Sequence, residues 1–342
     1  MADCTGNCVA NVPAGVAVSV RAVPAPGYVF AGWAGDCDDP AACTVTVNGA
    51  RRVAARFAVQ DARAECVVPR STSTTATLAA SHPKVLLSNA DLKACLQQRM
   101  ATGAPSALRF KALVDSQVAG TSNYGYEAWW SALMYQVSGD ARYATHAIAM
   151  TDAFVTAEEA LVARGERPTV AYDSYLYVGE LIGGLATVYD WTYDRLTASQ
   201  RQRWIAYANQ AVANVWNPAG ATWGGRAYPW SGWSVDNPIN NYYHHFLRAT
   251  MTLGLATHGE NPSAPAWLEK FRVAKLENQL FPQFNSQLQG GGSREGTGYG
   301  ISMRNLWHLY DWWERSTGER IATRTPHTLA SLAHMLHSIT TT

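Results

Sequence analysis

The stretch ISMRNLWHLYDWWERS, residues 301–316, puts Met303, Leu306, Trp307, Tyr310 and Trp313 on one stripe, with Arg304 and Asp311 between them and Arg315 just beyond. Apolar residues recurring every three or four positions mark a helix that buries one face. The same spacing predicts helices over 129–137, 141–161, 175–189 and 245–257. Two start signals support the reading. Ser88-Asn89-Ala90-Asp91 is an acidic variant of a capping box ahead of Leu92, and Thr197-Ala198-Ser199-Gln200 precedes the apolar positions Trp204, Ile205, Ala208 and Val212. From Val85 onward, helix pairs joined by polar loops predict a mainly α architecture, a solenoid or closed toroid rather than a βαβ sheet.

The first 58 residues follow another rule. Val16, Val18 and Val20 alternate with small or polar residues, as do Val45 and Val47, and then Val53, Ala55 and Phe57. Period-two patterning predicts short strands. Turn signals separate them at Ala25-Pro26-Gly27, Gly35-Asp36, Asp39-Pro40 and Asn48-Gly49, the last predicting a hairpin. Residues 59–81, including Ser71-Thr72-Ser73-Thr74-Thr75, lack periodicity and read as a linker. At 342 residues, two domains are expected.

All six cysteines, Cys4, Cys8, Cys37, Cys43, Cys66 and Cys95, precede position 96. The close pairs Cys4/Cys8 and Cys37/Cys43 are compatible with zinc, but nothing completes a four-ligand set, and the intervening Asp, Pro and Gly suit loops closed by disulfides. Cys66 and Cys95 either tie the linker to the next domain or stay unpaired. Disulfides imply an oxidising compartment, so the protein is expected to be secreted, extracellular or periplasmic. No basic, apolar leader opens the sequence, so the leader is expected to have been removed or to lie upstream. No apolar run approaches a membrane span. The balance of 27 Lys+Arg against 26 Asp+Glu gives no basic face for nucleic acid. The excess lies in aromatics with a polar handle: 13 Trp and 16 Tyr against 8 Phe, suited equally to sugar clefts and to large helical cores.

Gly27-Tyr28-Val29-Phe30-Ala31-Gly32-Trp33-Ala34-Gly35-Asp36-Cys37, followed by Cys43-Thr44-Val45-Thr46-Val47 and Val53-Ala54-Ala55-Arg56-Phe57, resembles the divergent internalin-type B repeat of bacterial surface and secreted proteins. The family's cysteine pair falls at Cys4 and Cys8, and its first strand would precede Cys4, so this copy is expected to lack that strand. The resemblance implies a spacer or adhesive module.

Two loops interrupt the helices, 217–241 and 285–300, both longer than ordinary connections and therefore candidates for function. The first leads into Asp236, Asn237, Asn240, Asn241, Tyr242, Tyr243, His244 and His245, where amides and imidazoles gather at a helix N-terminus able to bind a carboxylate. A plain capping Asn is the competing reading. The two histidines cannot point the same way, so one of them at most faces a cleft. The second loop, Gly290-Gly291-Gly292-Ser293-Arg294-Glu295-Gly296-Thr297-Gly298-Tyr299, offers Arg294, Glu295 and Tyr299. Together the loops suit β-elimination from a uronate, in which the carboxylate is neutralised, the C5 proton leaves and O4 is protonated. Tyrosine, with an ordinary pKa of about 10, can serve as base or acid there.

The stretches His82-Pro83-Lys84-Val85-Leu86-Leu87, Tyr172-Asp173-Ser174-Tyr175-Leu176-Tyr177-Val178-Gly179-Glu180 and Tyr189-Asp190-Trp191 resemble the N-terminal toroid of heparinase II/III-type and alginate-lyase-type enzymes. The resemblance covers residues 82–342 and implies an incomplete α/α toroid, since such enzymes continue into a C-terminal β-sandwich. It implies Tyr299 as base, acid or both, Asn241 with either His244 or His245 neutralising the carboxylate, and Arg294 or Glu295 assisting. Asn240 and Tyr243 join the substrate-binding set, and Trp223, Tyr228, Trp230 and Trp233 are candidate sugar platforms. No organic cofactor is implied, and a metal belongs only to the C-terminal domain such enzymes carry. The expected partner is a uronate-containing polysaccharide. Two alternatives remain. One is an inverting hydrolase using Asp236 and Glu295, which must lie roughly 6.5–9.5 Å apart. The other is a non-catalytic carbohydrate-binding protein. Asp173, Glu180 and Asp190 read mainly as structural acids.

Overall fold

A computed structural model describes residues 6, 8–25, 28–37, 43–59, 68–295 and 300–338, which divide into two compact units. In the first, alternation produces strands β1 (Val16–Val20), β2 (Tyr28–Gly35), β3 (Cys43–Val47) and β4 (Val53–Val59). Cys43 and Val45 are buried while Thr44 and Thr46 are exposed, as period two requires. β1 pairs antiparallel with β3, and β2 with β4, as two separate ladders. Phe30 lies opposite Phe57, and the rings of Phe30 and Trp33 meet edge to face at 5.0 Å. The hairpin expected at Asn48-Gly49 does not form, because β3 and β4 join different ladders. Neither residue takes the positive φ that a tight hairpin turn demands. Cys37 is bonded to Cys43, so that pair is a disulfide and not a zinc site. Cys8 and Cys95 each take part in a disulfide too, while Cys4 and Cys66 lie outside the described residues.

The second unit is mainly helical. Its helices are α1 (Ala90–Ala101), α2 (Pro105–Val118, which begins in the first unit), α3 (Ala128–Ser138), α4 (Ala141–Ala163), α5 (Val178–Trp191), α6 (Ala198–Trp216), α7 (Asn241–Thr257), α8 (Ala264–Glu269), α9 (Phe281–Gln287), α10 (Gly300–Thr317) and α11 (His327–Ser338). A wider helical winding over Lys270–Leu280 joins α8 to α9. Between α6 and α7 lies a minimal ladder, β5 (Thr222–Trp223) with β6 (Arg226–Ala227). The core centres on α5 and α7, which pack on each other. Every residue of α7 except Tyr242 and Arg248 is buried, the pattern of a helix surrounded by neighbours. The apolar stripe of α10 behaves as expected: Met303, Leu306, Tyr310 and Trp313 are buried, with Trp307 half-buried.

Thr197 and Gln200 form a reciprocal capping box for α6. At α1 the cap is Asn89, whose Oδ1 accepts from Leu92 N at 2.8 Å, and Ser88 instead donates to the Ser316 carbonyl. The box expected of Ser88 does not form: a helix starting at Ala90 puts Asn89 in the capping position, and Leu92, three residues on, has no side-chain acceptor to close a box.

Residues 68–81, irregular in sequence, are held on the end of α10: Ser71 N donates to Glu314, Thr77 N to the Thr317 carbonyl, and Arg70 pairs with Asp311 at 2.6 Å. The following segment is anchored through buried Asp190, which accepts from the backbone N–H of Lys84 and Val85 and faces His82. The far side of His82 meets Glu260 at 2.7 Å, which also takes Lys84 Nζ and the Tyr189 hydroxyl. The stretches around His82 and Asp190, distant in sequence, therefore form one network.

Candidate functional site

Asn240 has extended backbone angles, and its side chain accepts from Tyr242 N, so it caps α7. This makes the helix begin four residues earlier than the expected 245–257, with Asn241 in its first turn. The remaining N–H donors of a first turn seek an acceptor. Glu295 provides one: its Oε2 accepts from Asn241 N at 3.0 Å, and its Oε1 from the Asn240 amide at 3.0 Å. A carboxylate is thus seated at the positive end of the helix dipole.

Asn241 lies three residues before His244 and four before His245, so helix spacing alone does not separate the two histidines, and their partners do. His244 is buried, with Nε2 3.1 Å from the Pro238 carbonyl. His245 faces α5 and α10, where Nδ1 lies 2.7 Å from Glu180 and Nε2 lies 2.8 Å from the Asn305 amide. Both ring nitrogens are engaged, with Nδ1–H donating to the carboxylate. Burial works against ionisation of Glu180, but the His245 hydrogen bond and the charges of His245 and Arg248 outweigh it and hold the carboxyl below its ordinary value. Arg248, one turn further along α7, lies 3.8 Å from Glu180 and 3.7 Å from Glu127. Close approach of the two helices depends on Gly179: a Cβ there would meet the Cα, Nδ1 and O of His245, each at 3.0 Å.

The other candidates separate by exposure. Tyr299 lies outside the described residues. Arg294 is exposed beside Glu295. Tyr243 is fully buried, its hydroxyl donating toward the Lys275 carbonyl at 2.9 Å, and burial pushes its pKa far up. Of the four sugar platforms, Trp223 is buried against the Tyr175 hydroxyl. Tyr228 and Trp230 are half-buried and bonded to the carbonyls of Gly165 and Asn214. Trp233 alone of the four is open, with 49% exposure, its ring 4.9 Å from Tyr242. Tyr243 and Trp223 therefore belong to the core, where an aromatic ring has no free face for a sugar.

Asp236 is committed to Lys275 Nζ at 2.8 Å and Gln279 at 2.9 Å, and these bonds hold its carboxyl below its ordinary value. An inverting hydrolase needs one of its acids raised. Asp236, so held, does not offer that environment. Glu180 and Asn305 are the partners that sequence reasoning underweighted. Glu180 stood beside Gly179 in a stretch already singled out, but Asn305 carried no signal beyond its place four residues before Leu309.

The segment before α5 is unusual. Asp173, Ser174 and Tyr175 have φ of 44°, 53° and 63°, three consecutive non-glycine residues in left-handed backbone. This conformation is costly for L-residues, and the helix expected from 175 starts instead at Val178. Tyr175 is buried against Trp230, and Asp173 Oδ1 accepts from the Tyr242 hydroxyl at 3.0 Å.

Among known families, the divergent InlB B-repeat domain matches residues 3–61. The β unit is therefore a bacterial repeat of that kind. No curated protein matches the chain.

Proposed function

We propose that the helical unit follows an α/α-toroid plan and cleaves a uronate-containing polysaccharide by β-elimination, in a secreted protein whose β repeat acts as a spacer or adhesive module. The observation that supports this best is the Glu295 carboxylate held by Asn241 N–H and the Asn240 amide. Donors that hold one carboxylate can hold another, and neutralising the uronate carboxylate is what makes the C5 proton removable. Glu295 follows Gly290-Gly291-Gly292, and in this reading it moves aside as substrate enters.

His245, rather than His244, is the histidine of the mechanism, because it is braced by Glu180, whereas His244 is turned to the Pro238 carbonyl. Asn305 extends it through the bond to Nε2. Tyr299 removes the C5 proton. The electron pair left on C5 forms the C4–C5 double bond, the C4–O4 bond breaks, and the departing O4 takes a proton back from Tyr299. Arg294, exposed at the loop, steers the anionic chain by its charge.

The test is the ultraviolet absorbance of the conjugated product during incubation with a panel of uronate polysaccharides. Tyr299→Phe is expected to lower the rate by about 10²-fold or more, the scale of general acid–base catalysis. New reducing ends without absorbance would replace elimination by hydrolysis. Neither signal, with glycan binding retained, would leave a carbohydrate-binding protein.

A further inference from the structure

The exposed aromatic surface beside the head of α7 is not used by the elimination. Tyr172 is 52% exposed and Trp233 is 49% exposed. They are joined through one chain of contacts: the Trp233 ring lies 4.9 Å from Tyr242, the Tyr242 hydroxyl donates to Asp173 at 3.0 Å, and Asp173 is adjacent to Tyr172. Asp173 is itself exposed, and a carboxylate that accepts one hydrogen bond keeps further acceptor sites on its two oxygens. Aromatic faces flanking a carboxylate suit a pyranose: the ring's C–H face lies on the aromatic ring and its hydroxyls donate to the carboxylate.

The backbone beneath is fixed. Left-handed conformation at three successive residues persists only when the surroundings over-determine it. Here buried Tyr175, its hydroxyl taking Trp223 Nε1 at 3.2 Å, and the Tyr242–Asp173 bond do so. Arg167 is the nearby cation, but its guanidinium donates to the Ala171 carbonyl and lies 5.6 Å from the Tyr172 ring centre. It stiffens the aromatic surface without pairing with Asp173.

We infer that Tyr172, Asp173 and Trp233 form a sugar subsite next to the carboxylate-binding head of α7, and that this subsite takes a neutral, hydroxyl-bearing ring. A uronate in the same place would set its carboxylate against Asp173, and like charges at contact repel. The inference rests on the proposed lyase reading for the neighbouring position, and it narrows the substrate to a glycan in which uronate and neutral sugars adjoin.

The test is binding of the full chain to an array of oligosaccharides of equal length that are neutral, mixed or entirely uronate, with wild type, Asp173→Asn and Trp233→Ala compared. Asn is tolerated in left-handed backbone and keeps an acceptor for Tyr242, so the first variant is conservative. Trp233 is exposed, so its removal leaves the core intact. Wild type is expected to favour mixed oligosaccharides. Trp233→Ala should weaken them about tenfold, the scale of one lost aromatic contact. Asp173→Asn should strengthen all-uronate ligands relative to mixed ones. An all-uronate preference in wild type unchanged by Asp173→Asn, or binding to no glycan, overturns the subsite. Neutral or mixed binding that responds to both variants, without any unsaturated product, removes the lyase reading and leaves the subsite standing.

Discussion

Replacing Gly179 by Ala is expected to destabilise the helical unit although it introduces a better helix former. Inside a helix, Gly to Ala gains about 1 kcal/mol in propensity. At Gly179 that gain meets a barrier, since the new Cβ would sit 3.0 Å from the Cα, Nδ1 and O of His245. Two of those atoms are backbone in the middle of the core, so α7 itself must give way. Overpacking of this kind costs about 1–3 kcal/mol, leaving a net loss of up to about 2 kcal/mol. Two glycines on the same helix supply the controls. At Gly183 the nearest atoms belong to the Arg248 side chain at 3.3 Å and can yield, so its Ala variant should be near neutral. At Gly184 the nearest atom within reach is Trp129 Cδ1 at 3.8 Å, an ordinary contact. There the propensity gain should survive as a stabilisation of about 0.5–1 kcal/mol. Urea unfolding of the three variants, followed by tryptophan fluorescence and far-ultraviolet circular dichroism, gives the order directly. A Gly179→Ala protein as stable as Gly184→Ala would refute the claim that this glycine sets the α5–α7 distance.

Two further substitutions probe the charged groups. Glu180→Gln removes a carboxylate whose pKa is held below the ordinary value of 4.5, where burial is outweighed by His245 and Arg248. A depressed acid contributes stability above its unfolded pKa and loses it as pH falls through the folded value. The variant should therefore lose about 1 kcal/mol at neutral pH and show a flatter acid limb below the ordinary carboxylate range; identical acid limbs would exclude Glu180 from the acid sensitivity. Asp190→Asn turns an amide N–H₂ toward donors that now share one carboxylate, and is expected to cost more than about 3 kcal/mol. Amide exchange at Lys84 and Val85 should accelerate with it, and a loss under about 1 kcal/mol with unchanged exchange would contradict the anchoring role.

Periodicity found the helices wherever one face is buried, as at Met303 to Trp313, and the Thr197–Gln200 box marked a true start because both partners are local. It failed where the deciding partner is distant. Asn48-Gly49 has hairpin chemistry, yet β3 finds β1 and β4 finds β2, so pairing elsewhere overrides the turn preference. The left-handed run at Asp173 to Tyr175 is imposed by Tyr175 packing against Trp230 and by Tyr242, neither of which can be read from the local residues. The site divides the same way. Asn241 and the pair His244 and His245 stood out as an amide and imidazoles at a helix start, with the choice of histidine left open, whereas Glu295 at the head of α7 and Asn305 beside His245 arrive from more than fifty positions away. Aromatic composition could not separate Trp233 from Trp223, because exposure is set by the loop's path and not by residue type.

The contacts that determine packing are also those that determine the candidate chemistry. Gly179 brings α7 against α5, and Glu180, the next residue, thereby reaches His245 at 2.7 Å. A shift of α7 that relieved a larger side chain at 179 would lengthen that bond and, through Asn305, loosen the link to α10. Hydrogen bonds weaken steeply beyond their normal range, so a displacement of an ångström is enough to release the ring. Helix packing and the His245 bond should consequently be disturbed together in Gly179→Ala but separate in Glu180→Gln, where the amide oxygen still accepts from Nδ1–H, more weakly than the carboxylate, and the helix stays in place. Nitrogen chemical shifts of the His245 ring report the difference: they should depart from wild type in both variants, while the α5–α7 packing, followed through Trp129 and Trp191, changes only in the first.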